Sequence, residues 1–207
     1  MTILLMAFLV VILAPLVIPT WRTTAAMLSL QGLLLGWMAF RHRADATLDT
    51  MIALTDLVAV RGLLVPLLIY RVMRAQNPAR SGDIVPPNML SWAMAGGMVA
   101  ISFRFATQLE PSGSEFQTVL AVATSGLLLG LFVLATQPGV FAQAAGALGI
   151  ENAIALFELG QDERHTPLPI KVGLAGVFLL SACMYVLYVR WLRPVPAEEL
   201  PSTRSLL

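Results

Sequence analysis

The stretch that decides the fold is Pro138 to Gly160, PGVFAQAAGALGIENAIALFELG. It is apolar over a length that crosses a bilayer, since about 20 residues of helix span the hydrocarbon core. Yet Glu151 stands in its middle. A charged side chain at the centre of a membrane helix costs roughly 2.5–3.5 kcal/mol even on the gentlest scale. Such a group is kept where it is paired or where ions and protons pass, so the carboxyl of Glu151 is the first candidate for function.

The rest of the chain has the same character. Its 207 residues are 57% hydrophobic and only 12% charged, against about 25% charged in soluble domains. The mean hydropathy is +0.79. These values predict an all-α, polytopic transmembrane bundle with no soluble domain. Seven spans are expected, at 2–20, 24–40, 48–72, 88–108, 116–136, 139–160 and 168–192, which makes 1–193 one transmembrane domain. The second is short enough to tilt into the interface. The first lacks a basic leader and a cleavage site and reads as a retained helix. Turn chemistry separates the spans at Asn77-Pro78, Pro86-Pro87, Pro111-Ser112-Gly113 and His165-Thr166-Pro167.

Basic residues orient the bundle. One side receives Arg22, Arg71, Arg74, Arg80, Arg190, Arg193 and Arg204, and the other only Arg41, Arg43 and Arg164. That bias places the N-terminus outside, the C-terminus inside, and the Pro-rich tail 194–207 in the cytoplasm. Gly126 with Gly130, and Gly32 with Gly36, form small-xxx-small pairs that let helices approach closely.

Several function classes drop out. The single cysteine, Cys183, makes neither an internal disulfide nor a thiolate metal site. No nucleotide-binding loop, zinc spacing or nucleophile elbow is present, so no catalytic residue, cofactor or metal is expected, and a net charge of +1 gives no reason to expect nucleic acid. His42 and His165 read as solvated loop residues. An independent solute carrier would show inverted repeats with paired broken helices; only the third span is interrupted, by Pro66.

The intramembrane ionisable residues remain. Glu151 is read as a proton-exchanging group, or else as a hydrogen-bonded acid that fixes packing, and Asn152 beside it can bond a neighbouring helix. Glu158, seven residues on, shares its helical face about 10.5 Å along the axis. It is expected to pair with Lys171 near the outer interface, as a relay step or a plain salt bridge. Asp56 and Arg61 are five apart, which on an α-helix sets them on neighbouring faces, although long side chains can still meet, or each can pair across helices. Pro66 frees the carbonyl of Gly62, which reads as a hydrated junction beside that cation; alternatively, Asp56 and Arg61 are a charge-compensated structural pair. Arg104 snorkels outward or lines a path. Gln31 hydrogen-bonds without titrating.

Taken together, Gly126-Leu-Leu-Leu-Gly130, Phe141-Ala-Gln143, Gly146-Ala-Leu-Gly-Ile-Glu151-Asn152-Ala-Ile154 and Arg61-Gly-Leu-Leu-Val-Pro66 resemble the hydrogenase-4 component E family, as do Leu30-Gln31 and Leu168-Pro169. The part from about 116 to 192 is similar to the small K subunit of respiratory complex I. The resemblance implies a non-catalytic, multi-pass subunit of a proton-translocating complex in the bacterial inner membrane. Its implied partners are other membrane subunits, antiporter-like ones included, and the lipid bilayer. Glu151 would match the family's intramembrane glutamate on a lateral proton path. Arg61 stands where members usually carry lysine, Lys171 where they carry glutamate, and Ala175 where they carry aspartate. The alternative under the same resemblance is a structural bridge with no relay of its own.

Overall fold

The computed structural model describes residues 1–17, 20–42, 48–76, 89–137, 139–161 and 168–191. Among them all regular structure is helical: α1 (Thr2–Val17), α2 (Trp21–His42), α3 (Leu48–Leu54), a π-helical segment (Thr55–Leu64), α4 (Val65–Gln76), α5 (Met89–Leu109), α6 (Glu115–Thr136), α7 (Val140–Gly160) and α8 (Leu168–Trp191). The elements α3, π and α4 run on without a break, so the described helices form seven rods. Five are long and apolar enough to cross a membrane; Thr2–Leu16 and Val172–Tyr188 are shorter apolar segments. These are the features of a membrane protein. The second rod is not the short element expected: it has 22 residues. The expected tail, the 77–88 connection with Arg80, and the segment 162–167 with Arg164 and His165 lie outside the described residues.

Small residues set which rods touch. A Cβ added at Gly126 would lie 2.9 Å from the Cβ of Ala153, and one at Gly130 would lie 2.9 Å from the carbonyl oxygen of Gly146. These contacts, with Val119 against Gly160, seat α6 and α7 antiparallel along their whole length. Gly32 meets Gly62 backbone to backbone, at 2.5 Å from an added Cβ to the Gly62 nitrogen, while Gly36 packs on Val58. Both small-residue pairs expected from sequence therefore sit at helix crossings, where close van der Waals packing replaces the hydrophobic drive that lipid cannot supply.

Among the described residues a small apolar cluster joins α1, α5 and α6 through Leu16, Ala95, Leu129 and Phe132, and two larger ones fill the bundle. One joins α1, α2 and α6 with the far half of α7 through Leu5, Phe8, Met38, Val122 and Leu156. The other joins α2, α4, α7 and α8 through Leu28, Ile69, Phe141, Leu148 and Phe178. The N-terminal ammonium meets Glu115 at 3.3 Å, which pins the start of α1 to the start of α6. Ser114 caps α6 by accepting from the Gln117 N–H at 3.2 Å. Gly113 takes the left-handed conformation, φ 67°, in the turn between α5 and α6. The rods α5 and α8 stand at the edges, the first mainly on α6 and the second on α4 and α7.

Candidate functional site

The third rod changes winding where its charges lie. From Thr55 to Leu64 its backbone bonds run five residues back, as in Val65 N–H to the Val60 carbonyl. An α-helix would set residues five apart on diverging faces; the wider π turn stacks them. Asp56 and Arg61 are such a pair. The Arg61 Nε donates to Asp56 Oδ2 at 2.9 Å, with side chains 4% and 16% exposed. The expectation of neighbouring faces assumed α winding and is corrected; the direct meeting of the two side chains that it left open is what occurs. Segments of π-helix are rare and occur often at functional sites.

Arg61 lies midway along the rod, and its guanidinium touches two further helices. Nη1 donates to the backbone carbonyl of Glu151 on α7 at 3.1 Å. The plane stands over the ring of Phe178 on α8, 4.0 Å from guanidinium carbon to ring centroid. A carboxylate, a carbonyl dipole and an aromatic face therefore surround one permanent cation. That arrangement makes a mid-bundle arginine tolerable, since a buried charge is held by pairing and hydrogen bonds or not at all.

Beside this cluster α2 supplies a row of polar side chains. Asn152 Nδ2 donates to Gln31 Oε1 at 3.1 Å, the bond to a neighbouring helix anticipated for Asn152. Ser29 donates its hydroxyl to the Gly62 carbonyl. Pro66 has no N–H to give that carbonyl, so the side chain of α2 replaces the missing backbone donor. Gln31 lies 3% exposed and Asn152 1%. Two buried acceptors remain unpartnered among the described residues: Asp56 Oδ1 and Asn152 Oδ1. Groups in that condition call for an unseen water or ion, or for a role that needs them open.

The candidate residues divide accordingly. Asp56, Arg61 and the backbone of Glu151 meet at one crossing. The Glu151 side chain is half-buried and takes no bond from Arg61; it lies on the more open stripe of α7, with Ala147, Ile154 and Glu158. Glu158 is exposed near the end of α7, and Arg104 is exposed on α5. The Lys171 side chain falls outside the described residues, so its expected pairing with Glu158 does too. Ser29 and Phe178 were not singled out from sequence. Ser29 carried a usable signal, because a proline in a span predicts a hydroxyl donor nearby on another helix. Phe178 carried none, being one of nine phenylalanines. Among the described residues no cluster of three potential metal ligands occurs. No family model, curated protein or solved structure matches the chain.

Proposed function

We propose that this chain is a non-catalytic, multi-pass subunit of a proton-translocating membrane assembly in the bacterial inner membrane. In this reading the intramembrane groups Asp56, Arg61 and Glu151 form part of its ion path. One observation carries it: a charged pair, Asp56 with Arg61, is held at the middle of an apolar bundle with one Asp56 oxygen left without a donor among the described residues. Burying an ion pair is often neutral or unfavourable relative to apolar packing, so stability alone does not explain its presence. Arg61 keeps its proton and acts as a fixed field; the carboxyls are the groups that exchange. The resemblance to the hydrogenase-4 component E family supports the same reading, with antiporter-like membrane subunits as neighbours and redox chemistry, where it occurs, on other chains.

A second reading has its own observation. Arg61 reaches the backbone of Glu151 rather than its carboxylate and ties the third rod to α7 and α8. That is what a bridging subunit with a structural polar core needs. Glu151→Gln, introduced into the assembled complex, separates the two. Loss of proton transport with normal assembly supports the relay through Glu151. Normal transport with normal assembly removes Glu151 from the path.

A further inference from the structure

A cleft of about 70 Å³ opens between α1, α2, α6 and α7. Its lining places it. Pro15 and Leu16 stand at the end of α1, Thr24 at the start of α2, and Gln137 just past α6. All four belong to the membrane face that also carries Arg22, Arg74 and Arg190. From there the lining continues inward to Gln31, Gly126 and Gly149, at mid-bundle. Thr24 and Gln31 are seven residues apart, so the cleft reaches in by about 10.5 Å along α2, roughly a third of a ~30 Å hydrocarbon core.

The inner end meets the polar junction. Gln31 lines the cleft and also accepts from Asn152. Asn152 is 1% exposed and keeps its Oδ1 without a donor among the described residues. Its neighbour Glu151 accepts from Arg61, which in turn holds Asp56. The walls are glycines and alanines where volume matters: a Cβ built on Gly149 meets nothing within 4 Å. By its size the cleft has room for roughly five waters, at 10–15 Å³ for each. The surface of the cleft is mainly apolar, and Thr24, Gln31 and Gln137 are the polar side chains along it that water would bond.

We infer that this cleft is a hydrated half-channel, which brings water and water-borne protons from the Arg22 face to Gln31 and Asn152 and stops there. It deepens the proposed function and rests on it for its purpose, but the presence of water in the cleft is tested separately. Closed packing of α2 on the π segment through Gly32 and Gly62 lies beyond its inner end. The two sides of the junction are therefore unlike: a cleft lies toward one face and close packing toward the other.

The test uses the full chain in native membranes, with Cys183, which is exposed on α8, replaced by Ser. Single cysteines are placed in the cleft (Ala142→Cys, Ala145→Cys, Gly149→Cys) and on the outer stripe of α7 (Ile154→Cys) as control. Sealed vesicles of each orientation receive Ag⁺, an ion small enough for a water-sized passage. Surviving thiols are then counted with a maleimide after denaturation. The three cleft positions are expected to be blocked at least tenfold faster than Ile154→Cys, from the Arg22 face only. Blocking of Ala145→Cys and Gly149→Cys no faster than the control, or equally from both faces, overturns the half-channel. Should Gly149→Cys fail to accumulate, Ala145→Cys decides alone. A dry cleft leaves the proton-transport reading standing; a wet cleft with unaltered transport in Asp56→Asn overturns that reading and leaves the half-channel.

Discussion

Removing Asp56 should expose how much the central cation depends on it. In Asp56→Ala, Arg61, 4% exposed in the native chain, loses the acceptor 2.9 Å from its Nε. What remains is one carbonyl at 3.1 Å and one aromatic face at 4.0 Å. Those contacts contribute about 1.5–3 kcal/mol for a charged hydrogen bond and about 0.5–2 for a cation over a ring. They do not replace a counter-charge. Breaking a buried pair from one side costs about 3–5 kcal/mol, and the surviving contacts place this case near the lower bound, about 3. Arg61→Met alone leaves Asp56 unpaired and removes the tie to α7 and α8, so it is expected to cost a similar amount. The double variant removes both charges, and its cost should fall well short of the sum, by at least 1.5 kcal/mol of coupling. Reversible unfolding in mixed micelles, or steric trapping in bicelles, measures all four corners of the cycle. Additive costs, or an Asp56→Ala variant within 0.5 kcal/mol of the unaltered chain, would refute the claim that this pair is formed and desolvated.

Three other outcomes follow from the helix crossings. Gly32→Ala should destabilise by about 1–3 kcal/mol, as overpacking does, because its new Cβ meets Gly62 backbone at 2.5 Å; Gly97→Ala, with nothing within 4 Å, should be neutral or slightly stabilising in the same melt. Ser29→Ala strips the donor from the Gly62 carbonyl and should cost about 0.6 kcal/mol and at most about 1.7, the average and the maximum for interhelical bonds in a bilayer; Ser29→Thr should recover it in the same unfolding assay. Gln31→Leu leaves the Asn152 amide without its acceptor, and Asn152→Leu leaves that of Gln31 without its donor, so each should unfold more readily than the double replacement corrected for added volume.

Much of the bundle was legible in the sequence because lipid imposes a simple rule: backbone groups must bond within the segment, so long apolar stretches become helices. The spans at Met89–Leu109, Glu115–Thr136 and Val140–Gly160 lie within a residue of the expected limits. Glycine spacing also located two crossings, α6 on α7 and α2 on the third rod, because only small residues permit such approach. The expected length of α2 erred because Arg22, Thr23, Arg41 and His42 are helical yet not apolar, and hydropathy marks the oil rather than the helix. The site was read less well. Asp56 and Arg61 were recognised as costly, but their alignment depends on π winding, which no residue pattern announces. The backbone of Glu151 lies at the junction, but the side chain that gathers it is Arg61, whose aromatic partner comes from α8, more than a hundred residues away in the chain.

The central claim is that charges kept at the middle of this bundle serve ion movement. It is tested most directly by proton uptake into inverted vesicles from cells carrying Asp56→Asn in place of the native chain, with a strain lacking the chain defining the flux that depends on it, and assembly scored on the same membranes. The account predicts that chain-dependent uptake falls at least tenfold while the amount of assembled complex is unchanged. Uptake equal to that of the unaltered chain, in normally assembled complex, would contradict it.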